Sequence, residues 1–161
     1  MPYLMRQKFL SWGEEYLIKD DTEQDVFFVK GKFFRVKKKL SFQDMQKNEL
    51  VLIQQKSISW SIIYEIYRDC EVYATISESF FTLIGREFTV SIPGAVDLKI
   101  KGNFSGYKYT FERASGVVAT VSKKWASLAN TYSVDITPGE DDVLILACIV
   151  VIKTTYRRSI D

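Results

Sequence analysis

Hydrophobic and polar residues alternate along most of this chain. Phe88, Val90 and Ile92 alternate with Thr89 and Ser91, and Leu98 and Ile100 with Lys99 and Lys101. Tyr107, Tyr109 and Phe111 interleave with Lys108, Thr110 and Glu112, and Val117, Ala119 and Val121 with Thr120 and Ser122. Tyr132, Val134 and Ile136 repeat the pattern against Ser133 and Asp135. A period of two sends successive side chains to opposite faces, so each run predicts a strand with one buried and one wet face. Earlier in the chain, "DVFFVKGKFFRVKKKLSF" predicts a pair of strands around Gly31. Trp60, Ile62, Tyr64 and Ile66 share one face, as do Val72, Ala74 and Ile76. Turn-forming residues separate the runs at Asp20-Asp21, Gly31, Asp69, Pro93-Gly94, Gly102-Asn103 and Ser115-Gly116. Roughly a dozen short strands at this spacing predict an antiparallel sandwich or barrel.

One segment breaks the alternation. From Val143 to Ile152 every residue is apolar. A membrane-spanning helix needs about 20 apolar residues, so this run is too short to span. Its β-branched content suits a strand, but its flanks suit a helix. Thr137 and Glu140 have capping-box spacing, Pro138 stands where a first helical residue would, and Asp141 and Asp142 add negative charge to the first turn. Lys153, Arg157 and Arg158 put positive charge at the other end. The balance predicts a helix of about five turns, at 3.6 residues each. A helix apolar on every face must be covered on every face, so the strands are expected to close around it.

Composition narrows the function more than the fold. The chain has 161 residues, of which 47% are hydrophobic, enough for a single domain over residues 1–161. There is no histidine, which removes Ser-His-Asp and Cys-His catalysis and the zincin type of metal site. Cys70 and Cys148 are far apart and predict free, buried thiols in a reducing compartment, and the N-terminus lacks a signal-peptide pattern. A cytoplasmic protein is expected, peripheral if it meets a membrane. No P-loop, GxGxxG, GxSxG or CxxC is present, and adjacent acidic pairs such as Glu14-Glu15 point to opposite faces of a strand. Neither enzymatic activity nor a cofactor is expected. Cys70 as a nucleophile would need an electropositive neighbour, and Arg68 is the one at hand.

The 22 basic residues against 20 acidic leave a net charge of +2, so any anion site must be local. Nucleic acid is accordingly disfavoured. Arg35, Lys37, Lys38 and Lys39 form the densest basic stretch. Lys99, Lys101 and Lys108 lie on the wet faces of two successive strands, and Lys123 and Lys124 stand beside Trp125. These nine residues are the candidate site for an anionic group such as a phospholipid headgroup. The bland alternative is that lysines on strand edges keep sheets from pairing with other chains.

Several motifs resemble the LURP-one-related family, which belongs with the tubby C-terminal-like and phospholipid scramblase-like proteins. They are Lys101-Gly102-Asn103-Phe104, Val121-Ser122-Lys123-Lys124-Trp125, Thr131-Tyr132-Ser133-Val134-Asp135 and Pro138-Gly139-Glu140-Asp141. "YLMRQKFLSWGEEYLI" and "FFVKGKFF" match more loosely. The resemblance implies a mainly β fold: a roughly twelve-stranded antiparallel tubby-like barrel enclosing a central hydrophobic C-terminal helix. It implies less about function, since fold alone does not carry activity. Tubby proteins bind phosphoinositides at the membrane surface, but their binding residues find no matching positions here. The sequence also has no Cys-rich segment or acidic calcium loop of the scramblase kind. The resemblance thus points to a non-catalytic barrel with an anionic phospholipid as partner. A structural or protein-interaction module is the alternative, with an enzyme or a DNA-binding protein less favoured.

Overall fold

The computed structural model describes residues 2–10, 13–32, 38–56, 61–79, 86–124 and 130–158, without the side chains of 9–10, 32 and 157–158. Among them the chain forms twelve strands and then one helix. The strands are β1 (Pro2–Leu10), β2 (Gly13–Lys19), β3 (Asp25–Lys32), β4 (Lys39–Asp44), β5 (Glu49–Lys56) and β6 (Ile63–Arg68). β7 (Glu71–Ser79), β8 (Glu87–Ser91), β9 (Leu98–Asn103), β10 (Lys108–Arg113), β11 (Gly116–Lys123) and β12 (Thr131–Ile136) follow, then α1 (Asp142–Arg158). Each strand pairs antiparallel with its sequence neighbours, and β1 closes on β12 from Pro2↔Asp135 to Arg6↔Thr131. The result is a closed up-and-down barrel without a free edge, mainly β as the alternation predicts.

α1 fills the interior. Leu144 through Ile152 are each at most 1% exposed, so every face of the helix is covered. The inward residues of the strands meet it: Met5, Tyr16, Val29, Leu40, Ile53, Ile66, Ile76, Phe88, Ile100, Phe111, Val121 and Val134 all belong to one core cluster. All-round apolarity and enclosure are thus two sides of one requirement.

The structure corrects several local expectations. α1 begins at Asp142, not at Pro138: Thr137–Glu140 is a turn in which the Glu140 N–H donates to the Thr137 carbonyl, and Gly139 has φ 93°. The N-cap is Asp141, whose carboxylate accepts from the Leu144 N–H at 3.0 Å. β3 runs straight through Gly31, which pairs with Leu40 within the ladder. Val72 and Val117 are exposed, at 40% and 54%, because register shifts beside Tyr67 and Glu112 turn them out of the inward series. At the second shift Val118 and Ala119 are both buried in Val117's stead. Tyr107 lies in the β9–β10 turn with φ 53°. Cys70 is exposed in the β6–β7 turn, where it and Asp69 both have positive φ, as a tight hairpin requires; Cys148 is buried as expected. Arg35, Lys37, Trp12, Trp60 and Trp125 lie outside the described residues.

Candidate ligand site at one end of the barrel

The two ends of the barrel differ. At the lower end, where α1 begins, charges are matched. Arg68 pairs with Asp141 at 2.9 Å and lies over the Tyr73 ring, while the Tyr73 hydroxyl donates to the same carboxylate at 2.8 Å. Burial alone would raise the Asp141 pKa, but the hydrogen bonds from Arg68, the Leu144 N–H and Tyr73 outweigh it and hold the carboxyl below its usual value. Arg113 clamps Glu140 at 3.0 Å, and Tyr3 donates to Asp142. Arg68, the basic neighbour that Cys70 would need for reactivity, is therefore engaged elsewhere.

At the upper end the inward series changes from apolar to polar. One step beyond the last apolar inward residue, Met5 gives way to Gln7, Tyr16 to Glu14, Leu40 to Lys38, Ile53 to Gln55, Ile76 to Glu78 and Val121 to Lys123. Alternation points these side chains into the barrel, around the last turns of α1. Glu14 is the hub of one side. It accepts from Lys38 at 2.9 Å, Thr154 of α1 at 2.9 Å and the Tyr16 hydroxyl at 3.4 Å, and Gln7 donates to that hydroxyl at 3.3 Å. Across the end, Glu78 faces Arg86 at 3.4 Å, and the Arg86 guanidinium lies over Tyr156. Burial raises the Glu78 pKa, with Arg86 pulling it back.

Lys153 has no such counterpart. Its side chain is 4% exposed and its Nζ has no hydrogen-bond partner among the described residues. The ammonium lies 3.2 Å from the centre of the Tyr132 ring and 4.8 Å from that of Tyr107, and these two rings meet tilted at 50° with centroids 4.8 Å apart. Cation–π attraction is what holds it there. Burial lowers its pKa to about 7; Glu14 opposes the shift and Lys123 adds to it. Lys123 is paired directly across from Tyr132 and is exposed at the end of β11, near the buried Lys153. Among the described residues, Lys38, Lys123, Lys153 and Arg86 lie around the end of the helix with the carboxylates Glu14 and Glu78.

A family model for the LURP-one-related proteins matches residues 1–153. The chain belongs to the LURP-one-related family. A Bacillus subtilis (strain 168) relative, YxjI, described as an uncharacterized protein, is 30% identical over 148 residues, which is 92% of this chain and 88% of that one. The X-ray structure of an Arabidopsis thaliana protein superposes with a TM-score of 0.71 at 17% identity, covering 96% of this chain and 91% of that one. At that identity it establishes the shared fold.

This LURP-one-related barrel separates the nine basic residues singled out above. Lys38 enters the inner ring at the upper end, tied to Glu14, whereas Lys123, of the same inward parity, is exposed at the end of β11. Lys124 and Lys108 stand exposed on its rim, and Lys39 starts β4 on the outer wall. Lys99 and Lys101 are on the outer wall farther down, facing Glu87 at 3.5 Å and Glu112 at 3.4 Å respectively. Arg35 and Lys37 fall outside the described residues, between β3 and β4. Glu14, Glu78 and Gln7 are new to the site, and Lys153 takes a place the sequence did not suggest. Their signal was a polar residue on the apolar parity at a strand end, as in Tyr3-Met5-Gln7 and Ala74-Ile76-Glu78.

Proposed function

We propose that this protein is a non-catalytic binding barrel that engages anionic phospholipid headgroups with its upper end. The observation that carries this reading is a separation of charge along the barrel axis, which the net charge of +2 conceals. The connections at the lower end (20–24, 45–48, 69–70, 92–97, 114–115 and 137–141) contain seven Asp or Glu and one Lys. The described residues of those at the upper end (38, 61–62, 86, 104–107, 124 and 130) contain no Asp or Glu and three Lys or Arg. Basic residues near an anionic leaflet each contribute about 1 kcal/mol. An acidic lower end turns the molecule the same way. No helix among the described residues is long and apolar enough to cross a membrane, so contact through the helices would be peripheral.

Flotation with phosphatidylcholine vesicles, with and without about one-third phosphatidylserine, tests the reading at a charge level where the surface potential is substantial. Binding should require the anionic lipid, weaken with salt, and be lost in the triple variant Lys108→Glu, Lys123→Glu, Lys124→Glu. Binding that ignores both salt and the triple variant would refute it. One observation favours a protein partner instead. The exposed large hydrophobics among the described residues, Met45, Val72, Val96 and Val117, all lie on hairpins at the acidic lower end. Under that second reading, Val96→Ser with Val117→Ser abolishes association with a basic partner while vesicle binding is absent in the unmodified chain.

A further inference from the structure

We propose that the inner ring at the upper end holds a phosphate group, gripped between Lys153 and Lys123 beside Tyr132, so that a phosphate monoester is preferred over other anionic groups. The inference rests on the reading of the upper end as an anion-binding surface, and it joins the buried Lys153 to the exposed Lys123 there. An ammonium is three donors and no acceptor, and burying one without a partner is costly unless something compensates. Here the described residues provide two aromatic faces and no acceptor. Nearby carboxylates are otherwise occupied: Glu14 accepts from Lys38, Thr154 and Tyr16, and Glu78 faces Arg86. A phosphate placed beside Lys153 would supply the missing acceptors and offset the repulsion from Lys123.

Among the described residues, Glu14 of β2, Lys123 of β11, Tyr132 of β12 and Tyr107 of the β9–β10 turn act on Lys153, and Tyr109 of β10 lies beside those two tyrosines. Burial raises the phenols of Tyr109 and Tyr132, so neither becomes anionic near neutrality. A monoester, with up to two negative charges, gains more from a pair of cations than a diester with one.

The experiment uses two probes. Inorganic phosphate is titrated into the whole chain by calorimetry, and flotation compares phosphatidylcholine vesicles carrying equal fractions of phosphatidic acid or phosphatidylserine. Wild type should bind phosphate and prefer phosphatidic acid; Lys153→Met and Lys123→Gln should each weaken phosphate binding about tenfold, the scale of one charge-assisted hydrogen bond. Both variants should keep the melting cooperativity of wild type. In buffers of different ionisation heat, wild type should take up more protons on binding at pH 7.5 than Lys153→Met does, a difference a purely structural lysine would not produce. Phosphate binding that depends on Lys153, without any vesicle binding, would support the inner site as one for a soluble phosphate while ending the membrane reading. Phosphatidylserine binding with no phosphate affinity and no response to Lys153→Met would overturn the inference and leave the membrane reading standing.

Discussion

At the scale of single residues, Lys153 couples the fold to pH. Its amino group falls to about 7 in the barrel from about 10.4 in an unfolded chain. Between those values the unfolded chain holds a proton that the folded one has released, so stability rises with pH across the window. Below about 7 both states are charged and the full cost of burying the cation is present. Urea unfolding of wild type and Lys153→Met between pH 6 and 10 should therefore show the variant's advantage shrinking as pH rises. A constant difference would mean that Lys153 does not titrate in this range. The same burial explains the contrast between the cysteines: the Cys148 thiol is pushed up by desolvation inside α1, whereas Cys70 is exposed on a turn.

At the scale of elements, α1 is anchored at its first turn by a residue that serves three partners. Asp141 caps the Leu144 N–H, pairs with Arg68 and accepts from Tyr73, tying the helix to β6 and β7. Asp141→Ala removes the cap and leaves a half-buried guanidinium unpaired, for an expected loss of about 1–3 kcal/mol by chemical denaturation. A loss no larger in wild type than in an Arg68→Ala background would show that the pair contributes nothing beyond the cap. Because its pKa is held down, the stabilisation from Asp141 is present above the ordinary carboxylate range and fades as pH falls through the lowered value. A glycine does comparable work in β9. A Cβ on Gly102 would come within 2.6 Å of the Lys108 carbonyl and 2.7 Å of the Tyr109 Cα, so β9 and β10 approach there at a distance only glycine allows.

At the scale of the molecule, barrel and helix share one core. Among the described residues the inward faces of the strands pack on α1 and α1 on the strands, with Phe104 of the β9–β10 turn closing over Phe88 and Tyr156. Ile149→Asp puts a carboxylate at a position of zero exposure, and no soluble folded protein is expected from it. Cooperative melting near the wild-type temperature would show that the helix can leave the barrel. The charge separation also belongs to this scale, since it exists only once up-and-down topology gathers alternate connections at each end.

The sequence by itself determined which residues face inward along most strands, that the apolar run is a helix too short to span a bilayer, and that such a helix needs enclosure. Period two and all-round apolarity are local signals, and Phe88, Val90, Leu98 and Ile100 are buried as they predict. Family membership was legible too, through motifs such as Lys101-Gly102-Asn103-Phe104. What only the tertiary structure decided depends on partners distant in the chain. The bulges that expose Val72 and Val117 follow from the count of residues on the facing strand. The cap is Asp141 rather than Thr137, and its carboxylate also meets Arg68, 73 residues away. Of the basic residues, the sequence could identify the type but not the company. Pairing of neighbouring strands sets Lys99 and Lys101 against carboxylates on the wall, and the enclosed helix brings near Lys123 a buried Lys153 with no hydrogen-bond acceptor among the described residues.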